Sequence, residues 1–190
     1  MAYLTQFVDS YSEENSNAVL IVRSGGSISA GQSFMGRDSA LYFATFYLGK
    51  SGSPTGNAYA KLYAHSGEYG TDSVPTGEAL ATSEPLDVSE FSGPAVRTLE
   101  AFTFSGDQEY VLKPGVPYCI AFEYSGGDAD NYCLIGVDTS SPSHLGNKFS
   151  KTASSEWTAD IDWDVCFYVG GEATPTPGVK YLLPAFKVPL

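Results

Sequence analysis

Leu41-Tyr42-Phe43-Ala44-Thr45-Phe46-Tyr47-Leu48 places Leu41, Phe43, Thr45 and Tyr47 on one alternating face and Tyr42, Ala44, Phe46 and Leu48 on the other. Successive side chains of a strand point to opposite sides of the sheet. A run that is largely apolar on both sides therefore predicts a central strand. Residues 118–124 sort differently. Tyr118, Ile120, Phe122 and Tyr124 share one face, while Cys119, Ala121 and Glu123 share the other. Near the end of the body, Val165, Phe167 and Val169 oppose Cys166 and Tyr168.

Outward from these runs, further strands are predicted over 31–35, 58–64, 99–104, 109–112, 132–137 and 147–150. An apolar patch over 18–22 adds a possible strand near the start. Turn chemistry separates them: Gly49-Lys50-Ser51-Gly52-Ser53-Pro54-Thr55-Gly56, Ser125-Gly126-Gly127-Asp128 and Ser140-Ser141-Pro142. The long link over 65–98 is expected to hold one short strand and one helical turn. No stretch sustains a 3.6-residue period. Together these features predict an all-β chain, a jelly-roll or Greek-key β-sandwich of about eight or nine strands with extended N- and C-terminal arms. The expected division is an N-terminal arm over 1–29 with one candidate strand, a sandwich over 30–170, and a Pro-rich linker with an apolar docking tail over 171–190.

Composition narrows the function. The chain has 190 residues, 43% of them hydrophobic, which suffices for one core-forming domain. Its net charge of -12 and lack of a Lys/Arg patch argue against nucleic acid as a partner. No run approaches the ~20 apolar residues of a membrane span. Met1-Ala2-Tyr3-Leu4-Thr5-Gln6 leads straight into polar residues, so no secretory signal is expected. Cys119, Cys133 and Cys166 fit no zinc spacing, and each lies in an apolar run. They read as small buried hydrophobes made in a reducing compartment, with a Cys119–Cys133 bridge across neighbouring strands as the alternative.

Gly31-Gln32-Ser33-Phe34, the strand ending Tyr47-Leu48-Gly49-Lys50, Gly52-Ser53-Pro54-Thr55-Gly56-Asn57 and Lys61-Leu62-Tyr63-Ala64 follow one another in order. After them come Pro75-Thr76-Gly77, Leu80-Ala81-Thr82-Ser83, Glu123-Tyr124-Ser125-Gly126-Gly127-Asp128 and Val165-Cys166-Phe167-Tyr168-Val169. This order resembles a jelly-roll module found in bacteriophage virion proteins and in bacterial surface proteins of the choice-of-anchor type. The resemblance spans roughly residues 31–170. It implies the fold and a virion or cell-surface setting, but fold alone does not fix a role.

Few residues are placed for catalysis. His65 and His144 sit in turn-like settings beside Ser66 and Ser143, with no Gly-x-Ser-x-Gly elbow, and are expected at the surface. Asp160-Ile161-Asp162-Trp163-Asp164 would put three carboxylates on one face if extended, and Asp128-Ala129-Asp130-Asn131 is a second oxygen-rich loop. Asp128, Asp130, Asp160 and Asp162 are thus the candidates for a structural calcium, although the loop-with-Gly spacing of a calcium motif is absent. Solvated acidic turns are the preferred reading of these residues, and no other cofactor is expected. Trp157, in polar Ser154-Ser155-Glu156-Trp157-Thr158, is the aromatic most expected to be exposed, and is the candidate glycan contact.

The segment after the Thr174-Pro175-Thr176-Pro177 spacer is apolar, with Tyr181, Leu182, Leu183, Phe186, Val188 and Leu190. Burying these side chains and ordering their backbone nearly cancel in free energy, so such a tail is ordered only in a preformed groove. These six residues are therefore the expected partner contacts, on other virion proteins or on copies of the chain in a homo-oligomer. The sequence reading is a non-enzymatic structural protein of a phage-like virion, a capsid decoration or a fibre or spike component that assembles through its arms. The alternative is a carbohydrate-binding or adhesive module of a cell-surface protein, and host glycans are possible ligands in either setting.

Overall fold

The structure, a computed structural model, describes residues 5–140 and 142–173. Among them are fifteen strands: β1 (Thr5–Tyr11), β2 (Ala18–Val22), β3 (Ser27–Met35), β4 (Ser39–Ser51), β5 (Asn57–Ser66), β6 (Val74–Thr82), β7 (Leu86–Asp87) and β8 (Thr98–Thr103), then β9 (Tyr110–Leu112), β10 (Pro117–Glu123), β11 (Tyr132–Asp138), β12 (Lys148–Thr152), β13 (Thr158–Asp160), β14 (Asp164–Val165) and β15 (Phe167–Ala173). Three single 3-10 turns are the helical content. No helix among the described residues is long and apolar enough to cross a membrane.

The strands form one connected sheet with the path β1-β15-β4-β11-β2-β3-β10-β5-β6. The two-faced run that opens the sequence lies in β4, the longest strand. Along its length β4 pairs with β15, β11, β8 and β9, so it is a central strand. β10 pairs with β3 and with β5, so it too is central. β4 and β10 are four steps apart on the path, yet Phe46 and Phe122 meet edge to face with ring centroids 6.2 Å apart. The sheet thus folds over, and its main core lies between the facing strands. Phe102 of β8 lies 6.0 Å from Phe122 and Phe91 lies 6.5 Å from it, completing an aromatic cluster.

A second, smaller cluster lies on the other face of β10. Cys119 and Ala121 are small, which leaves room for Tyr63 and Phe149 to pack over them. Gly31 of β3 is paired with both Ala121 and Phe149. A Cβ at Gly31 would overlap the Ile120 carbonyl, so the close approach of these strands requires glycine there.

Residues 5–29, within the expected opening arm and its one strand, contribute β1, β2 and the start of β3 to the sheet. β1 runs antiparallel to β15 from Thr5↔Glu172 to Tyr11↔Phe167, and β2 runs beside β11. The polar residues after β1 form a capped turn, where the Ser12 hydroxyl accepts the Glu14 N–H at 3.2 Å. Fifteen strands exceed the expected eight or nine because β1, β6 and the two- or three-residue pairings β7, β13 and β14 show little alternation of their own. Tyr181, Leu182, Leu183, Phe186, Val188 and Leu190 lie outside the described residues.

Candidate functional site

Three expectations about site residues need correction. His144 is not a surface residue: its side chain is 7% exposed. The carbonyl oxygen of Gln32 accepts the Val165 N–H at 2.9 Å, which fixes the amide's orientation. The Gln32 NH2 then donates to Asp164 Oδ1 at 2.6 Å and points at His144 Nδ1 at 3.2 Å. The Gly146 N–H donates to the same nitrogen at 3.0 Å. Nδ1 is therefore the acceptor, and the ring proton sits on Nε2, which donates to Asp9 Oδ1 at 3.2 Å. Both ring nitrogens are committed, so the imidazole is a fixed structural link with no free lone pair for a nucleophile. His65 is half-buried on β5, 3.0 Å from the Ser73 hydroxyl, and burial lowers its pKa.

The run 160–164 is not a single extended face. Asp160 ends β13, a turn follows, and Asp164 begins β14. Asp160 faces Lys148 Nζ at 3.6 Å, whereas Asp164 is buried against Gln32 and the His144 N–H. The Asp128 carboxylate turns inward on its own loop. Its Oδ1 accepts the Asp130 N–H at 2.8 Å and the Asn131 N–H at 2.9 Å, and these bonds lower its pKa. Among the described residues no group of three or more His, Cys, Asp or Glu side chains is arranged so that it could hold a metal ion. The three cysteines are free and buried, and burial pushes the Cys133 and Cys166 thiols up to about 12, so they are poor nucleophiles.

Trp157 is half-buried rather than exposed. Its ring meets Phe149 at 5.4 Å and Tyr63 at 5.8 Å, both edge to face, and Lys151 Nζ lies 5.5 Å from its centroid. The polar neighbours Ser154, Ser155 and Glu156 belong to the tight connection between β12 and β13. That connection swings the indole back over the second cluster. Trp157 thereby forms one wall of a groove of about 290 Å³ on the outer face of the sheet.

The rest of the groove comes from β5 and β10. Period two puts Tyr59, Lys61 and Tyr63 on the outer face of β5 and Glu123 on that of β10, and the register sets Glu123 opposite Tyr59. Glu123 Oε1 accepts the Tyr63 hydroxyl at 2.6 Å, and Oε2 faces Lys61 Nζ at 2.7 Å. Burial, with the Glu123 hydrogen bond and charge, pushes the Tyr63 phenol far above its ordinary range. The phenol therefore stays a donor at any physiological pH. A hollow of about 170 Å³ continues the groove past Ile28, Lys61 and Glu123 towards Asn57 and Tyr59. Glu78 lines the groove and Lys151 stands over Trp157, so two lysines balance two glutamates.

Trp157 stands out in the sequence by type, whereas Lys61 and Glu123 do not. The alternation of β5 and β10 put both on outer faces, but the register that joins them is a long-range fact. The arrangement supplies an aromatic wall, an ammonium with spare hydrogens and a rigid carboxylate, without net charge. Family models, curated proteins and solved structures give no match to this chain, so the groove's own chemistry carries the functional reading.

Proposed function

We propose that this protein is a non-enzymatic binding module that holds a neutral glycan in the Trp157 groove. The convergence of the indole wall with the Lys61–Glu123–Tyr63 constellation supports this reading. Sugars present apolar C–H faces to aromatic rings and hydroxyl groups to paired donors and acceptors, and the groove offers both. Its charge balance favours an uncharged polyol over a polyanion. Glu123 accepts from two donors at once, which suits orientation of a ligand better than shuttling of protons.

The fold-over of the sheet onto one aromatic core supports a jelly-roll β-sandwich as the architecture. The module resemblance supports a setting in a phage-like virion or on a cell surface, with the module acting as an adhesive or decorating component. In that setting residues 179–190 are the docking segment. Deleting them should leave a folded protein that elutes as a monomer and no longer assembles, as read by light scattering. Unchanged assembly of the truncated chain would sink the arm idea but not the glycan site.

Binding itself has a direct test. Trp157→Ala should lower glycan affinity at least about tenfold in calorimetric titration with the best array hit, while the fold is retained. A glycan array on which the intact protein is silent would overturn the proposal.

A further inference from the structure

A second concavity, separate from the Trp157 groove, lies where β1, the end of β3 and two loops meet. It is a cleft of about 670 Å³, within the range of small-ligand sites. Its floor is built and rigid. His144 is held by Gln32, Gly146 and Asp9. The two loops that flank it are tied together: Ser73 N–H donates to Asn147 Oδ1 at 3.1 Å, and Asn147 Nδ2 donates to the Ser73 carbonyl at 3.1 Å. Gly70, at φ 79°, brings its loop against the Leu145 carbonyl, where a side chain would not fit.

The polar groups lining this cleft fall into two sets. Some are largely engaged: the Tyr11 hydroxyl donates to Asp138 at 2.7 Å, and Asp9 accepts from Ser10 N–H, Met35 N–H and His144. Others are not. The Arg37 guanidinium, the Tyr69 hydroxyl and the Asn15 amide reach no hydrogen-bond or ion-pair partner among the described residues, yet all three line the cleft. A guanidinium fork matches one carboxylate in a bidentate pair. The phenol and the amide match hydroxyl groups, and the spare acceptor capacity of Asp9 matches a hydroxyl hydrogen. Asp9 keeps its negative charge beside the cleft, so one carboxylate neutralised by the Arg37 guanidinium is opposed less than a phosphate dianion would be.

We propose that this cleft binds one sugar residue carrying a carboxylate, a uronic or sialic acid, with the acid group on Arg37 and ring or side-chain hydroxyls on Tyr69 and Asn15. The site is independent of the neutral-glycan groove. Saturation-transfer NMR and titration of the intact chain with glucuronic acid and N-acetylneuraminic acid, against glucose and galactose, provide the test.

At least one of the two acids should bind, and its methyl ester should bind at least about tenfold more weakly. Arg37→Gln should cost a similar factor, and Tyr69→Phe several-fold. Arg37 is exposed, and phenylalanine preserves the ring of Tyr69, so both variants should fold. Trp157→Ala should leave acid-sugar binding unchanged, which separates failure here from failure of the groove. A simple hydroxy acid such as lactate binding as well as the sugars would show that the ring is not recognised and would overturn the sugar assignment. Equal binding of acid and ester, indifference to Arg37→Gln, or no binding of either acid at about 10 mM would overturn the site.

Discussion

Replacing Gln32 with leucine should lower stability by about 3–5 kcal/mol at pH 7, one of the two largest losses expected from single substitutions in this protein. Gln32 is fully buried and spends its whole amide: one acceptor bond to Val165, one donor bond to Asp164 and one to His144. Leucine fills similar space but removes the side-chain donor to Oδ1 of the Asp164 carboxylate, which is 1% exposed. Burial already raises the Asp164 pKa, against the hydrogen bonds from His144 N–H and Gln32 that lower it. A raised folded value means that the folded state holds this proton more tightly than the unfolded chain. Its contribution is therefore present at low pH and lost as pH rises from about 3.8 through the folded value.

Removing the Gln32 donor raises that folded value further, so the penalty of the leucine variant should shrink as pH falls from 7 towards 4.5. Asp9 works in the opposite sense. Burial would raise it, but the His144 hydrogen bond and two backbone N–H donors hold it below its ordinary value, so its contribution is lost on acidification. That loss is shared by both proteins and cancels in the difference. Urea denaturation of wild type and variant at the two pH values measures the quantity directly. A difference below about 1 kcal/mol at pH 7, or one that grows on acidification, would show that the network does not hold Asp164.

What the sequence made legible follows from where the information resides. β4 and β10 were readable because burial on one or both faces writes a period-two pattern into adjacent residues. β6 was legible only as one short strand somewhere over 65–98, because Pro75 and Gly77 interrupt its pattern. It ends the sheet path and pairs with β5 alone, and an edge strand tolerates a proline whose missing N–H needs no partner. His144 was misjudged for a different reason. Gln32 and Asp9, which define its environment, lie 112 and 135 residues away, and its own neighbours read as a turn. Trp157 was misjudged because local polarity at a tight connection reports the turn and not the surface over which the next side chain folds. Only Trp157, of the groove residues, announced itself by type. Lys61 and Glu123 are ordinary residues until the register of β5 and β10 joins them.

The fold-over of the sheet has its own decisive residue. Phe122 is fully buried on the inner face of β10, and its ring touches Phe46 of β4, Phe102 of β8 and Phe91. These contacts join strands that are not hydrogen-bonded to one another, so they exist only if the two parts of the sheet face each other. Phe122→Ala should therefore cost about 3–5 kcal/mol, the sum of lost transfer energy and the cavity left between rings that cannot all close in. For a chain of this size that corresponds to a fall in Tm of roughly 6–20 °C by calorimetry. Phe7→Ala is the control. Phe7 is also aromatic, lies within 6.0 Å of Phe43 and 5.7 Å of Tyr168, but is 59% exposed on β1. Its loss should shift Tm by no more than a degree or two. Comparable shifts for the two variants would mean that Phe122 faces solvent much as Phe7 does, and that the sheet does not close over a common core. A large shift for Phe122 with a small one for Phe7 requires the closed arrangement. It is that arrangement which leaves the outer face of β5 and β10 free to carry the Trp157 groove.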